Sequence, residues 1–243
     1  MRLDPVTVVV PTYNERQNLP DLVTAVLSHG YRLLIVDDGS PDGTGTLADE
    51  LASQHTLMDV VHRSTKQGLG PAYAEGFAVA LEGGAAVVCE MDADFSHDPN
   101  DLPRLIGALE GGADLALGSR YVPGGSTPDW PWHRRFLSRG GNLYARIALG
   151  LSTHDATAGF RAYRADCLRR LHAETCGASG YAFQVELAMR AADEGCRIEE
   201  VPISFRDRKF GTSKMSNAIV AEAMWLVTRW AVSRRFGRLR SPG

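Results

Sequence analysis

The sequence has no apolar run long enough to cross a membrane, which would take about 18 uninterrupted apolar residues. Its N-terminal apolar stretch is short and is interrupted by Pro11, so we expect no signal peptide. The formal net charge of the 243 residues is only −3, unlike the strongly basic character of nucleic-acid-binding domains. We therefore expect a soluble globular fold of one or two domains.

Cysteine is scarce as well. The four cysteines (Cys89, Cys167, Cys176 and Cys196) include no C-x-x-C pair, and none of the seven histidines has metal-ligand spacing. This pattern predicts small buried thiols in a reducing compartment rather than a disulfide framework. Glycine is missing from "VVVPTYNERQN", after the first apolar run, where a dinucleotide-binding fold needs G-x-G-x-x-G. That absence excludes a Rossmann-type cofactor site.

Short β-branched runs alternate along the chain with segments of helical periodicity. Strands are predicted at residues 6–10, 33–36, 58–61 and 86–91, and helices at 15–29, at 46–54, in a segment ending at 81, and at 99–110. The alternation predicts an α/β fold with a mostly parallel central sheet and helices on both faces. Such sheets bind their ligands beyond the carboxyl ends of the strands.

Acidic residues cluster at the ends of three predicted strands. They are Glu15 after the first strand, Asp37 and Asp38 after the second, and Glu90, Asp92 and Asp94 around the end of the fourth. The last three alternate with apolar residues, so an extended backbone would project them to one side. Taken alone, this stretch fits either a solvated turn or a divalent-cation site with oxygen ligands. Acids at three strand ends favour the site.

Nine segments match, in order, motifs of the family-2 glycosyltransferases. They are "VVVPTYNERQNL", "LLIVDDGSPDGT", "KQGLGPAYAEGF", "EMDADFSHDP", "LALGSRYVPGG", "WPWHRRFLSRGGN", "DATAGFRAYR", "GYAFQVELAMRA" and "ISFRDRKFGTSKM". Over about residues 5–216 the chain resembles the polyprenyl-phosphate (dolichyl-phosphate) mannose synthases of that family. The resemblance implies a glycosyltransferase A-type fold. It also implies inverting transfer of mannose from GDP-mannose to a polyprenyl monophosphate.

The resemblance implies which residues bind the donor. They are Pro11, Tyr13, Glu15, Val36, Asp38, Asp92, Ala93, Asp94, Arg208 and Lys214. Tyr13 would provide an aromatic wall for the nucleoside, and Glu15 would accept hydrogen bonds from ribose hydroxyl groups. Arg208 and Lys214 lie where the family has a mobile loop that closes on the diphosphate.

The resemblance assigns Asp92, Asp94 and Ser96 to a metal site, which implies Mg²⁺ or Mn²⁺ as cofactor. Relatives can carry glutamine at the position of Ser96. Serine is a weaker ligand, so a water molecule could fill that place. A divalent cation would cancel the repulsion between the carboxylates and stabilise the charge on the departing GDP.

Arg120, Arg134 and Ser138 match the acceptor-phosphate grip of the family. Together with Asp94, the two arginines are the implied catalytic residues. Prenyl phosphate is largely ionised at neutral pH, so a general base is dispensable and charge neutralisation and positioning should dominate. Arginine suits this role because its planar fork contacts two phosphate oxygens at once.

Some assignments stay open at this point. Arg135 and Arg139 are interpreted as helix-surface charges, and Gln184 and Glu186 either line the mannose pocket or pack beneath it. A UDP-glucose donor is the nearest alternative function, and a hydroxyl acceptor with Asp155 as base is another. A non-catalytic nucleotide-sugar-binding protein is the alternative from a different class.

We expect a catalytic domain at residues 1–216 and a C-terminal helix with a basic tail at 217–243. The tail is apolar but contains Glu222 and Arg229, so it predicts either a packing helix or an interfacial one. Because a polyprenyl chain does not leave the bilayer readily, we expect a peripheral protein on the cytoplasmic face of the membrane. It would reach the lipid directly or through an integral-membrane partner.

Overall fold

The computed structural model describes residues 3–178, 180–208 and 217–238. In these ranges the strands are β1 (Val6–Thr12), β2 (Arg32–Asp37), β3 (Met58–His62), β4 (Val87–Glu90), β5 (Leu115–Ser119), β6 (Arg161–Arg164) and β7 (Ile198–Pro202). The helices are α1 (Leu19–Leu27), α2 (Thr44–Ala52), α3 (Leu69–Glu82), α4 (Leu102–Glu110), α5 (Trp132–Leu149), α6 (Ala165–Leu171), α7 (Gly180–Asp193) and α8 (Asn217–Arg238).

The strands form one sheet in the order β3-β2-β1-β4-β6-β5-β7. All neighbouring pairs are parallel except those of β6, which runs antiparallel to both β4 and β5. The prediction of a mostly parallel sheet is therefore confirmed. The carboxyl ends of β1, β2 and β4 meet at one edge, which brings together the loops that carry the predicted acids.

Some predicted boundaries were wrong by a few residues. Pro11 does not end β1: it pairs in register with Val36, and the strand continues to Thr12. The first helix begins at Leu19 rather than at residue 15, with Pro20 in its first turn, where a missing N–H group costs nothing. Residues 15–18 are thus left as a loop beyond β1.

Each face of the sheet covers its own apolar core, because successive strand residues point to opposite sides. Val8 and Val10 pack on one face with residues of α1 and α4. Val9 packs on the other face with residues of α3, α6 and α7. This two-sided burial explains why the strands read as continuous apolar runs.

A smaller apolar cluster joins α5, α7 and α8. Its members include Leu149 of α5, Val185 of α7 and Val227 of α8, each almost fully buried. Tyr144 and Thr228 share a hydrogen bond of 2.6 Å across α5 and α8. No helix in the described ranges is both long enough and apolar enough to span a membrane.

Candidate active site

One acidic residue of the stretch around the end of β4, Glu90, has a structural role. Glu90, the last residue of β4, is completely buried, and one of its carboxylate oxygens lies 3.1 Å from Nε of Arg161. Tyr163 donates a hydrogen bond to the same oxygen. Burial raises the pKa of Glu90 to about 7, and the positive charge of Arg161 opposes this shift. Glu90 therefore belongs to the interior of the sheet rather than to a solvated strand end.

Asp92 and Asp94 lie in the turn that follows, where Phe95 has a left-handed backbone conformation (φ 61°). One oxygen of Asp94 accepts a hydrogen bond from the N–H group of Ser96 at 3.0 Å, and the other lies 3.3 Å from Nη2 of Arg208. Burial raises the pKa of Asp92, and the charges of Asp94 and Glu90 raise it further. The turn thus holds two carboxylates whose mutual repulsion a cation would relieve.

His97 holds this turn from the inside. Its ring stacks on Phe160 at a centroid distance of 5.0 Å, and its Nδ1 atom lies 3.3 Å from the backbone nitrogen of Asp92, which donates to it. Burial lowers the pKa of His97 to about 4, so the ring is neutral near pH 7. His97 also lines the cavity described next.

A cavity of about 560 Å³ opens beyond the carboxyl ends of β1 and β4, within the size range of small-molecule sites. Eight of the expected donor-binding residues line it: Pro11, Tyr13, Glu15, Asp38, Asp92, Ala93, Asp94 and Arg208. Arg120 lines it as well. We call this space the donor cavity. The fold brings these residues together from segments about 200 positions apart in the chain.

One end of the donor cavity presents an aromatic ring and a cation. The ammonium group of Lys66 lies 3.8 Å from the centroid of the Tyr13 ring, a cation–π geometry. Asn18 donates a hydrogen bond of 2.7 Å to Glu15. Lys66 was not predicted, because a lysine beside a glycine-rich turn carries no signal beyond a basic loop.

Asp38 lines the donor cavity, and its carboxylate is fixed by hydrogen bonds from a residue outside that cavity and from the turn before α3. It accepts hydrogen bonds from Arg63 at 2.5 Å, from the N–H group of Gln67 at 3.3 Å and from that of Gly68 at 3.1 Å. These contacts fix the glycine-rich turn that starts α3. Its neighbour Asp37 accepts hydrogen bonds from the hydroxyl of Thr12 at 3.0 Å and from the backbone N–H group of Ser40 at 3.0 Å, so it holds the loop that follows β2.

Two expected site residues, Val36 and Ser96, do not line the donor cavity. The side chain of Val36 is fully buried in the core on the α3 face, so it does not reach the cavity. Ser96 is buried and is not among the lining residues, and it contacts Asp94 through its backbone N–H group. Lys214 lies outside the described residues.

Arg120 is fixed by Asp155. Its backbone N–H and its Nε both donate to one oxygen of Asp155, at 2.9 and 2.7 Å, while Nη2 donates to the other at 2.5 Å. Nη2 also lies 2.8 Å from the hydroxyl oxygen of Thr157. Asp155 is fully buried, so both of its oxygens serve to orient Arg120. This geometry argues against Asp155 as a general base.

A second, mostly apolar cavity adjoins the first between α5, α7 and α8. Arg134, Leu137 and Ser138 of α5 line it, and Met224 and Val227 of α8 close its far side. We call it the apolar cavity. It shares four lining residues with the donor cavity: Arg120, Trp130, Thr157 and Tyr181. The two spaces therefore meet at Arg120.

The expected acceptor-phosphate residues stand at this junction. The Arg134 guanidinium lies 3.9 Å from the ring centroid of Trp130, and Nη1 donates to Asp207 at 2.7 Å. Tyr121 donates to the hydroxyl of Ser138 at 2.6 Å. Trp130 is buried between the two cavities, a position that the motif "WPWHRRF" did not reveal because tryptophan there also fits a packing residue.

Gln184 and Glu186, whose assignment was open, lie differently with respect to the donor cavity. Gln184 lines the donor cavity, with Nε2 3.5 Å from a Glu90 oxygen. Glu186 instead pairs with Arg190 at 2.6 Å and is absent from the cavity lining. Gly159 lies opposite Gln184: a Cβ atom there would be 3.6 Å from Nε2. The missing side chain keeps space open in front of the Gln184 amide.

The oxygen ligands available in this turn fit a hard divalent cation. Asp92 and Asp94 supply two carboxylates, and Mg²⁺ is usually held by one or two carboxylates together with substrate phosphates and water. The described residues contain no cluster of three histidine, cysteine or acidic side chains that could enclose a metal unaided. Arg208 places a positive group beside Asp94, with Nη2 3.3 Å from a carboxylate oxygen.

Comparison with known proteins adds independent findings. The sequence model described as "Glycosyl transferase family 2" matches residues 7–171. The chain is 49% identical over 237 residues to the polyprenol monophosphomannose synthase of Mycolicibacterium smegmatis, covering 96% of this chain and 89% of that protein. It is 50% identical over 240 residues to the undecaprenyl-phosphate mannosyltransferase of Micrococcus luteus, covering 97% and 98%.

Solved structures show similarity of fold alone. A mannosyltransferase of Pyrobaculum calidifontis, solved with GDP-Man and Mn²⁺, superposes with a TM-score of 0.54 at 17% identity. The match covers 98% of this chain and 76% of that one. At this identity the comparison supports the arrangement of strands and helices and carries no residue roles.

Proposed function

Because the chain belongs to glycosyl transferase family 2 and is therefore a glycosyltransferase, we propose that it transfers mannose from GDP-mannose to a polyprenyl monophosphate. The products are polyprenyl-phosphate mannose, with inversion at the anomeric carbon, and GDP. The A-type fold that the sequence predicts is confirmed.

The observation that carries the proposal is the meeting of two unlike cavities at Arg120. The donor cavity offers carboxylates and cations, as a nucleoside diphosphate sugar with a bound cation requires. The apolar cavity offers aliphatic and aromatic walls, as a prenyl chain requires. A substrate that is a phosphate at one end and a hydrocarbon at the other fits across this junction.

The relatives' names support the same substrates. One relative is named as a polyprenol monophosphomannose synthase and the other as an undecaprenyl-phosphate mannosyltransferase, and each match spans nearly the whole of this chain. The donor GDP-mannose is supported by the Pyrobaculum neighbour, which was solved with that nucleotide sugar. Tyr13 and Lys66 would then contact the nucleoside, and Glu15 the ribose.

In the proposed reaction an ionised oxygen of the prenyl phosphate attacks the anomeric carbon of mannose from the side opposite GDP. A bond forms from that oxygen to the carbon, the bond from the carbon to the diphosphate oxygen breaks, and its electron pair leaves with GDP. No proton has to be removed from the phosphate, so the fully engaged state of Asp155 is consistent with a reaction without a general base. Arg120 and Arg134 orient the nucleophile and balance its charge.

Asp92 and Asp94 would hold Mg²⁺ or Mn²⁺ against the diphosphate, and the bound ion would supply charge stabilisation for the leaving group. Ser96 stays a predicted ligand. Arg208, which lies 3.3 Å from Asp94, would contact the diphosphate. Lys214 is proposed to join it from the same loop.

The far end of the donor cavity suits the sugar. Gln184 and Gly159 lie beyond the acid pair, and an amide in an open space can pair with a sugar hydroxyl. We propose that mannose sits there, close to Arg120.

The proposed lipid acceptor lies in the membrane, so the enzyme has to work at the membrane surface. We propose a peripheral enzyme on the cytoplasmic face of the membrane, acting alone or with an integral-membrane partner, and the tail at residues 217–243 stays a candidate contact. In α8 the side chain of Trp225 is exposed, whereas Val227 is packed inward.

The test is a transfer assay with purified protein, Mg²⁺ and a short polyprenyl phosphate. GDP-mannose and UDP-glucose, each labelled in the sugar, are supplied in separate reactions, and the unphosphorylated polyprenol serves as the second acceptor. We expect lipid-extractable label only from GDP-mannose with the phosphate. Label from UDP-glucose would favour the glucose alternative, and label on the polyprenol would favour the hydroxyl acceptor. The anomeric configuration of the product, read by NMR, tests inversion.

A further inference from the structure

The connection between α5 and β6, residues 150–160, belongs to no helix or strand, yet it supplies groups to the active site. Asp155 holds Arg120 with both carboxylate oxygens, and the hydroxyl oxygen of Thr157 lies 2.8 Å from the same guanidinium. Gly159 borders the donor cavity. Because no helical turn or sheet ladder fixes this connection, its backbone groups depend on other partners.

The side chain of Glu200 in β7 holds the connection at Asp155. One oxygen of Glu200 accepts a hydrogen bond from the backbone N–H group of Asp155 at 3.0 Å. The other accepts from the backbone N–H group of His154 at 2.8 Å and lies 2.8 Å from Nδ1 of the His154 ring. The Glu200 side chain is only 10% exposed, so water competes little for these oxygens. Two charge-assisted hydrogen bonds to successive N–H groups fix both the position and the rotation of the peptide between them.

Other side chains hold the connection further along. Asn142 accepts a hydrogen bond of 3.2 Å from the N–H group of Thr157. Arg161 donates to the carbonyl oxygens on either side of Thr157, at 2.9 and 2.8 Å. These contacts all lie beyond Asp155, whose own N–H group is held by Glu200. Glu200 therefore determines where the Asp155 side chain begins.

The strand that carries Glu200 also supports Arg120 from the other side. β7 pairs in parallel with β5, with Glu200 opposite Leu117, and Arg120 follows Ser119 at the end of β5. Glu200 lines neither the donor cavity nor the apolar cavity. Its influence on the site therefore runs through Asp155, which contacts both Glu200 and Arg120.

We propose that Glu200 is a positioning residue for the acceptor phosphate and acts through Asp155 on Arg120. Its carboxylate sets the place of Asp155, whose two oxygens hold the Arg120 guanidinium where the two cavities meet. This inference rests on the proposed function, which assigns Arg120 to the prenyl phosphate. A displacement of about 1 Å in a catalytic arrangement can cost up to about 100-fold in rate. Loss of the Glu200 carboxylate should therefore impair use of the phosphate and leave the acid pair of the donor cavity intact.

The first test compares transfer kinetics of substituted chains. Glu200→Ala should lower kcat/KM for a short prenyl phosphate about tenfold, while the affinity for GDP-mannose with Mg²⁺, measured by calorimetry, stays unchanged. Glu200→Gln keeps one oxygen for one of the two N–H groups and should lose only about threefold; it also carries the test if the alanine variant does not fold. Glu199→Ala is the matched control, because Glu199 is the exposed neighbour on the same strand, and its kinetics should be natural.

A second test asks whether Glu200 acts through Asp155. In an Asp155→Asn background, Glu200→Ala should cost less than about twofold, because residues that act in one chain of contacts are not additive. Amide hydrogen exchange of residues 152–158 should be faster in Glu200→Ala than in the natural chain and unchanged in Glu199→Ala.

The proposal is overturned if Glu200→Ala and Glu200→Gln keep the natural kcat/KM, or if donor affinity falls as much as use of the phosphate. It is also overturned if the full tenfold loss persists in the Asp155→Asn background, since Glu200 would then act independently of Asp155. Failure of the natural chain to transfer mannose would overturn the proposed function and this inference with it. Natural activity in both Glu200 variants would overturn this inference alone.

Discussion

The donor cavity and the apolar cavity touch at Arg120 but are built in different ways. The donor cavity is lined mainly by loops at the carboxyl ends of strands, and its polar groups are held by hydrogen bonds from the sheet and its turns. The apolar cavity lies between three helices whose mutual core is small. One of them, α5, exposes an apolar stripe that comprises Trp132, Phe136, Leu143 and Ile147. Under the proposed function, the cavity held by the sheet and its turns takes the nucleotide sugar, and the cavity between the helices takes the lipid.

The largest effect should come from the acid pair in the donor cavity. Asp94→Asn should reduce transfer by at least about 100-fold, because the charge that holds the cation and opposes Asp92 is lost. Chelation of divalent metal should abolish turnover of the natural chain. Steady-state transfer rates with and without chelator measure both effects.

Asp98→Asn is the matched control, since Asp98 is exposed and only caps Asn100. Its activity should stay near that of the natural chain. Chelator-resistant turnover would contradict a metal-dependent donor cavity and would weaken the distinction between the two halves.

Where the two cavities meet, we expect a smaller effect that is confined to the use of the prenyl phosphate. Arg134→Gln should lower kcat/KM for the prenyl phosphate roughly 10- to 100-fold, the range for losing a charge-assisted hydrogen bond. Affinity for GDP-mannose with metal, measured by calorimetry, should not change. Arg135→Gln, one position along the same helix and exposed, is the control. A collapse of donor affinity in Arg134→Gln would assign this arginine to the donor half.

The two cavities differ in how much of their structure could be predicted from the sequence. The acids at the strand ends were predictable, because parallel strands must place their carboxyl ends together and carboxylates there need a purpose. The burial of Val36 and the inward hydrogen bonds of Asp38 were not, since a motif marks a position and says nothing about where its side chain turns. Glu90 illustrates this limit: only the fold reveals Arg161 as its partner, 71 positions away.

The acceptor half was harder to predict for a physical reason. The pattern of α5 reads as an ordinary amphipathic helix, and a sequence cannot say which of two apolar faces the rest of the chain will cover. Arg135 and Arg139 were interpreted as surface charges, which their exposure confirms. The apolar stripe beside them becomes visible only once α7 and α8 have taken the opposite face.

At the sugar end of the donor cavity the expected effect is about tenfold. Gly159→Ala adds a methyl group 3.6 Å from Nε2 of Gln184 and 4.0 Å from the ring of His97, distances that the fold tolerates. The methyl group would occupy space proposed for mannose, and one such group changes kcat/KM roughly tenfold. Binding of GDP alone should be unaffected. Gly107→Ala, where nothing lies within 4 Å, is the control. If Gly159→Ala weakens the binding of GDP and of GDP-mannose equally, the sugar does not bind beside Gly159.

The smallest effect is expected for substitutions on α8, whose contribution to the binding of anionic lipid vesicles we compare with that of α5. Trp225 and Val232 of α8 are 60% and 50% exposed, yet the helix is also tied inward by Val227 and by the ion pair of Arg234 with Asp193 at 2.5 Å. An interfacial helix needs a continuous apolar face with basic residues beside it. In the described part of α8 three large apolar side chains are exposed, whereas α5 exposes five: Trp132, Phe136, Leu137, Leu143 and Ile147. Trp225→Ser/Val232→Ser should therefore reduce vesicle binding by less than about threefold, against about tenfold for Phe136→Ser/Ile147→Ser. If the α8 variant loses the larger share, the tail is the principal membrane contact, as the sequence alone suggested, and α5 is secondary.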